Sequence, residues 1–121
     1  MAHDRRKSEE AGRSAELIAL FYLRLKGWRL LAHRYKTKSG EIDLIMRRKD
    51  VTAFIEVKAR KSLDGAIESV TPRQARRIAA AARQFLAQDR KAALQACRFD
   101  IVAVSPYHWP RHIENAFEGE W

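Results

Sequence analysis

Two short segments decide the fold of this chain: Gly40-Glu41-Ile42-Asp43-Leu44-Ile45-Met46 and Val51-Thr52-Ala53-Phe54-Ile55-Glu56-Val57-Lys58. Apolar and polar side chains alternate in both, which is the period of a β-strand. The polar residues 47–50 separate the segments, so we expect the two strands to pair as an antiparallel hairpin. In the first strand, alternation places Ile42, Leu44 and Met46 on one face and Asp43 on the other.

Upstream of the hairpin, the sequence predicts a helix from about Ser8 to Lys26, ending at Gly27. Glu16 lies near the edge of its apolar stripe, which consists of Leu17, Ile18, Phe21 and Leu25. A strand over Trp28–Tyr35 and a basic turn over Lys36–Gly40 then lead into the hairpin.

Downstream, the polar stretch Lys61–Val70 reads as a mobile loop. Thr71 followed by Pro72 is a strong helix start, and we expect a helix to about Gln88. Its apolar stripe is Ile78, Ala82, Phe85 and Leu86. Residues 90–96 are ambiguous, and strands are predicted at Phe99–Val104 and Ile113–Phe117.

The predicted order is therefore helix, three strands, helix, strand, strand, which is a mixed α/β fold with helices packed on a central sheet. The 121 residues suit a single domain, and no repeat or linker divides them. We expect one domain over residues 1–121, with residues 1–10 as a flexible N-terminal extension.

The charge balance favours a polyanionic partner. Lys and Arg number 24 against 15 Asp and Glu, which gives a net charge of +9. Nucleic acid is the leading candidate, and a basic protein without such a partner is the alternative. No apolar segment is long enough to span a bilayer or to act as a signal peptide, and Cys97 is the single cysteine. We therefore expect a cytoplasmic protein without a membrane partner.

The hairpin also carries candidate chemistry. Glu56 and Lys58 leave the same face of their strand, and Asp43 on the partner strand can project beside Glu56. Two carboxylates held this closely repel each other unless a cation lies between them. Magnesium fits, with manganese as a substitute, because it takes oxygen ligands and works with one or two protein carboxylates. The alternative is a surface hairpin with a cross-strand salt bridge.

Five basic residues follow this candidate site and flank the predicted loop: Arg60, Lys61, Arg73, Arg76 and Arg77. They are candidate phosphate contacts. A solvated helix face explains the arginines equally well.

The two segments, extended to Arg60, resemble the PD-(D/E)XK nuclease signature. The whole chain after about Gly12 resembles the YraN family, whose fold is similar to that of archaeal Holliday-junction resolvases. The likeness continues through Ala15-Glu16, Ser69-Val70-Thr71-Pro72, Ala81-Ala82, Arg98-Phe99-Asp100-Ile101-Val102-Ala103 and Asn115-Ala116-Phe117. A restriction-endonuclease-like fold is what this resemblance implies.

The resemblance also assigns roles. It makes Asp43, Glu56 and Lys58 the catalytic residues, and adds Glu16 and the backbone carbonyl of Val57 to the metal ligands. Gln74 departs from the family pattern, which usually has lysine at this position. Glutamine can still contact phosphate there but brings no charge.

Three functions follow as hypotheses. The first is a magnesium-dependent endonuclease that cuts structured or branched DNA, for which a homodimer would supply two sites. The second is a nucleic-acid-binding module that keeps the nuclease fold without cutting. The third is a scaffold that binds a protein partner through its basic face.

Overall fold

The computed structural model describes residues 2–118, with side chains described from residue 12 onward. The predicted mixed α/β fold is confirmed, with two additional short helices. The elements in chain order are α1 (Ala2–Leu25), β1 (Arg29–Lys36), β2 (Glu41–Arg48), β3 (Val51–Ala59), α2 (Leu63–Glu68), α3 (Pro72–Gln88), α4 (Arg90–Ala93), β4 (Ala96–Val104) and β5 (Arg111–Ile113).

The five strands form one mixed sheet in the order β1-β2-β3-β4-β5. The predicted hairpin is confirmed, because β2 and β3 pair antiparallel from Leu44 opposite Ile55 to Arg48 opposite Val51. Strands β3 and β4 run parallel, whereas the other neighbours are antiparallel. A parallel pair requires a long crossover, which here contains α2, α3 and α4.

Helices cover both faces of the sheet. Helix α1 packs on one face over a cluster that includes Leu44, Met46 and Ile55. Helix α3 packs on the other face, where Ile78 and Phe85 meet side chains of β2, β3 and β4. Within residues 2–118, no helix is long and apolar enough to cross a membrane.

The face that α1 buries differs from the prediction. The expected stripe of Leu17, Ile18, Phe21 and Leu25 is exposed, and Leu25 is 80% accessible. The buried face is instead formed by Ala15, Glu16, Ala19, Leu20 and Leu23. Small side chains at two of these positions let the helix approach the sheet closely, and Glu16 is carried inward with them.

The end of α1 follows the prediction. Gly27 adopts φ +91°, a left-handed conformation that glycine adopts without steric cost. Its N–H donates to the Arg24 carbonyl, and the Trp28 N–H donates to the Leu23 carbonyl, each at 3.0 Å. This is the Schellman pattern of helix termination. The helix begins at Ala2, earlier than the expected Ser8.

Two further expectations were wrong. The predicted loop Lys61–Val70 contains α2, because the Ser62 hydroxyl accepts a hydrogen bond from the Gly65 N–H and caps a helix whose Ala66 is buried. The last strand is Arg111–Ile113 rather than Ile113–Phe117. Beyond it the chain turns, and the Phe117 ring packs 5.4 Å from the Phe99 ring.

A buried polar cluster links β4 to β5. The Asp100 side chain is fully buried and accepts hydrogen bonds from Arg98 Nε at 3.0 Å and from the Asn115 N–H at 2.9 Å. His112 Nε2 lies 2.7 Å from the same carboxylate. A buried charge with this many partners is satisfied, so the cluster has a structural role.

Candidate functional site

The candidate site lies where β2 and β3 separate. Their backbone pairing ends at Leu44 and Ile55. Beyond this point a side chain replaces the backbone as hydrogen-bond partner, because Asp43 Oδ2 accepts a hydrogen bond from the Val57 N–H at 2.9 Å. The Asp43 N–H in turn faces Glu56 Oε1 at 3.4 Å. The two predicted carboxylates are therefore neighbours at a split in the sheet.

The alternation of β2 breaks at the same place. Ile42 packs with Ile45 in the cluster beneath α3, whereas Leu44 and Met46 pack beneath α1. The expectation that Ile42 shares a face with Leu44 was wrong, since simple alternation assumes a regular strand. Asp43 occupies the irregular position between the two layers and is half-buried.

Helix α3 contributes Gln74 to the site. Its amide nitrogen donates to Glu56 Oε2 at 3.2 Å, and its amide oxygen accepts from Lys58 Nζ at 3.2 Å. Gln74 stands in the first helical turn, where its backbone N–H is capped by the Thr71 hydroxyl at 3.1 Å. The side chain thus bridges the acid and the lysine of the predicted motif.

Both carboxyl groups carry perturbed proton affinities. Burial raises the pKa of Glu56 well above its usual range, and the negative charge of Asp43 raises it further. Burial also raises the pKa of Asp43, with Glu16 adding to the effect, while the Val57 N–H and Lys58 oppose it. The negative charges of Asp43 and Glu56 are incompletely compensated, so the pair favours binding of a proton or a cation.

Helix α1 brings Glu16 to the site, where it is held by a residue that the sequence did not single out. Glu16 is 8% exposed, and its carboxylate accepts hydrogen bonds from Arg34 Nη2 at 2.6 Å and from Nε at 3.0 Å. This contact raises the pKa of the Arg34 guanidinium. The pairing of β1 with β2 would have indicated Arg34, because a register with Lys36 opposite Glu41 places Arg34 across from Asp43.

A cleft of about 500 Å³ opens beside these groups. Its lining contains three acidic and three basic side chains. The acidic groups can attract a cation and the basic groups a phosphate within the same cleft. Sequence reasoning missed Arg13 and Lys36, which approach from α1 and from the end of β1. The lining residues are Gly12, Arg13, Glu16, Arg34, Lys36, Glu41, Ile42, Asp43 and Val57.

The predicted phosphate contacts flank the site but do not line the cleft. Their side chains are exposed, except for that of Gln74, which is half-buried in the site. The turn after β1 rests on α3, because a Cβ added at Gly40 would lie 1.9 Å from the Arg77 carbonyl oxygen. The exposed members are Arg60, Lys61, Arg73, Arg76 and Arg77.

Comparison with known proteins identifies the family. Residues 15–104 match the profile described as "Uncharacterised protein family UPF0102". The chain belongs to the UPF0102 family. The resemblance to the YraN family is thereby confirmed. The UPF0102 protein of Methylocella silvestris is 48% identical over 117 residues, covering 97% of this chain and 94% of the relative. That of Agrobacterium fabrum is 50% identical over 116 residues, covering 96% and 95%.

The donor set of this UPF0102 protein fits magnesium. Within the part of the chain whose side chains are described, no three acidic, histidine or cysteine residues already converge into a metal cage. Magnesium does not require one, because it takes hard oxygen ligands from one or two carboxylates and keeps several waters. Asp43 and Glu56 are two such carboxylates in adjacent positions. Glu16 is the third nearby acid, engaged by Arg34.

Proposed function

We propose that this UPF0102 protein is a magnesium-dependent endonuclease that hydrolyses phosphodiester bonds in structured or branched DNA. The observation that carries the proposal is the pair of half-buried Asp43 and buried Glu56, with Lys58 tethered next to Glu56 through Gln74. Burial and the charge of Asp43 raise the pKa of Glu56, and burial and the charge of Glu16 raise that of Asp43. Holding both groups ionised is costly for stability, and a requirement for a cation at this place accounts for them.

Each residue has a role in this proposal. Asp43, Glu56 and the Val57 carbonyl would hold the magnesium ion, with Glu16 as the ligand from α1. Magnesium, when bound, supplies Lewis acidity and lowers the pKa of bound water. Lys58 carries a compact positive charge and would orient the attacking water or a phosphate oxygen. Manganese would substitute for magnesium, since it also prefers oxygen ligands.

The substrate side of the proposal rests on charge. The net charge of +9 and the basic side chains around the cleft suit a nucleic-acid backbone, and DNA is the proposed form. Arg13 and Lys36 reach into the cleft itself. The flanking phosphate contacts are proposed to be Arg60, Lys61, Arg73, Gln74, Arg76 and Arg77.

The test is a titration of Mg²⁺ and Mn²⁺ against labelled single-stranded, duplex, flap and four-way DNA. We expect metal-dependent cutting that falls by about 10²-fold or more in Asp43→Asn, Glu56→Gln and Lys58→Ala, as for other groups that stabilise transition-state charge. Circular dichroism must show that the variants fold. Variants that cut as well as the wild type would refute the site.

The same experiment separates the alternatives. Binding that weakens with salt, without cutting under any metal condition, would replace the endonuclease by a binding module on the same fold. Absence of affinity for DNA and RNA, with salt-insensitive association to a protein, would favour the scaffold.

A homodimer and a cytoplasmic location complete the proposal. A junction-cutting enzyme needs two sites, and the exposed apolar face of α1 offers a surface on which a second copy can pack. Light scattering at several concentrations tests this, with Phe21→Glu on that face as the disrupting variant. A monomer at every concentration would remove the dimer and leave the catalytic proposal standing.

A further inference from the structure

The contact between Arg34 and Glu16 lies inside the cleft. Two guanidinium nitrogens of Arg34 reach one oxygen, Glu16 Oε2, so the acid that α1 brings to the site already has a cation. The negative charges of Asp43 and Glu41 also act on the guanidinium. The Arg34 side chain is 38% exposed, so it has open space toward the solvent side of the cleft.

The backbone beneath Arg34 is unusual. Four non-glycine residues in the described chain have positive φ, and Arg34, at φ +54°, is the one that lies within a strand. The left-handed region is unfavourable for a residue with a Cβ, and such conformations persist only where the surroundings hold them. The backbone strain therefore lies at Arg34, the residue whose side chain binds Glu16.

Charge balance shows what the contact does. The cleft lining pairs three acids with three bases, and a divalent cation would add two positive charges to this balanced set. Glu16 cannot serve the metal ion fully while Arg34 holds it, because the guanidinium occupies Oε2 and neutralises the charge of the carboxylate. A phosphodiester of DNA brings negative charge and offers the displaced guanidinium a new bidentate partner.

We propose that Arg34 is a resident counter-ion that competes with the divalent metal ion for Glu16 and, once displaced, binds a phosphate of the nucleic acid in the cleft. This inference rests on the proposed function of the same site. It makes metal and nucleic acid bind cooperatively, because each removes an obstacle to the other. Arg34 is thus a positioning and binding residue whose contact changes with metal occupancy.

Manganese affinity, measured by electron paramagnetic resonance on the full chain, is the first test. Arg34→Gln should tighten Mn²⁺ binding about fivefold more than Arg13→Gln, equivalent to about 1 kcal/mol. Arg13 is the matched control because it lines the same cleft, whereas among the described ion pairs it has none with Glu16. In the Glu16→Gln background the two arginine variants should behave alike.

The second test is affinity for a labelled DNA duplex in EDTA and in Ca²⁺, a hard ion that takes oxygen ligands. The loss caused by Arg34→Gln should be about threefold larger with Ca²⁺ than in EDTA, whereas the loss from Arg13→Gln should be the same in both.

The outcomes separate the two proposals. Weaker Mn²⁺ binding in Arg34→Gln would mean that Arg34 positions Glu16 for the metal ion. This result would overturn the present inference and leave the proposed function standing. An effect equal to that of Arg13→Gln would overturn it as well. If the wild type binds no Mn²⁺, or binds it as well after Asp43→Asn, the metal site itself fails and the proposed function fails with it.

Discussion

Replacing Glu56 by glutamine should stabilise the metal-free protein at neutral and alkaline pH. Burial, and then the charge of Asp43, raise the pKa of the native Glu56 carboxyl well above its usual range. The native state therefore binds this proton more tightly than the unfolded chain does. Its stabilising effect is complete below the unfolded pKa of about 4.3 and is lost as the pH rises through the raised value.

The magnitude follows from the charges around the site. Two unit charges about 5 Å apart repel by roughly 3 kcal/mol at an effective dielectric constant of about 20. Lys58 offsets part of this repulsion, and glutamine keeps an oxygen that can face the Asp43 N–H. We expect a net gain of about 1–2 kcal/mol at pH 8, which corresponds to a rise in Tm of roughly 3–8 °C.

Thermal unfolding in EDTA between pH 5 and pH 9 measures this effect. The gap between Glu56→Gln and the wild type should widen with pH, by at most about 1.4 kcal/mol for each pH unit. Added Mg²⁺ should raise the Tm of the wild type more than that of the variant. Glu68→Gln, at the exposed end of α2, is the matched control and should change stability by less than about 0.5 kcal/mol.

A pH-independent loss of stability in Glu56→Gln would refute this reasoning. It would show that the ionised Glu56 carboxylate stabilises the native state, as in an ordinary salt bridge with Lys58. The pair of Asp43 and Glu56 would then not require a cation.

Three further substitutions test the packing and the buried charge that support the fold. Gly40→Ala should destabilise the fold by about 2–3 kcal/mol in chemical denaturation, because its Cβ meets the backbone carbonyl of Arg77 at 1.9 Å. Gly12→Ala has open space and should instead add about 0.5–1 kcal/mol to helix stability. Asp100→Asn should cost about 3 kcal/mol, because it removes a buried charge on which Arg98 depends.

The opposite result for either Gly40→Ala or Asp100→Asn would have a specific structural meaning. A stable Gly40→Ala would mean that the turn after β1 moves away from α3 without cost. A neutral Asp100→Asn would mean that water or another acceptor satisfies the cluster in place of the carboxylate.

The hairpin was predictable because local patterns determine it. Two apolar runs of strand length and a short polar turn between them favour one antiparallel pairing that buries the apolar residues. The orientation of α1 was not predictable, since Leu17 and Phe21 mark an apolar stripe as strong as that of Leu20 and Leu23. Only the shape of the sheet beneath the helix selects between the two faces.

The acids of the site were predictable and their partners were not. Asp43 and Glu56 follow from strand pairing. Gln74 reaches the site from α3, and the contact of Arg34 with Glu16 depends on the register of β1 and on which face of α1 is buried. The break of alternation at Asp43 also left no local signal. It lies where the backbone pairing of β2 with β3 ends, at Leu44 and Ile55.

The split between β2 and β3 has an evolutionary consequence. Asp43 completes the sheet as well as the site, because its side chain takes the Val57 N–H that a strand neighbour would otherwise satisfy. Glu56 Oε1 makes the reciprocal contact with the Asp43 N–H, but at 3.4 Å this is the longer and weaker of the two hydrogen bonds. In relatives that lack the proposed metal site, we expect Glu56 to be replaced first, because its backbone contact is the weaker one, while an oxygen acceptor persists at position 43. An acid at position 43 in a distant relative is therefore weaker evidence of the proposed metal site than an acid at position 56.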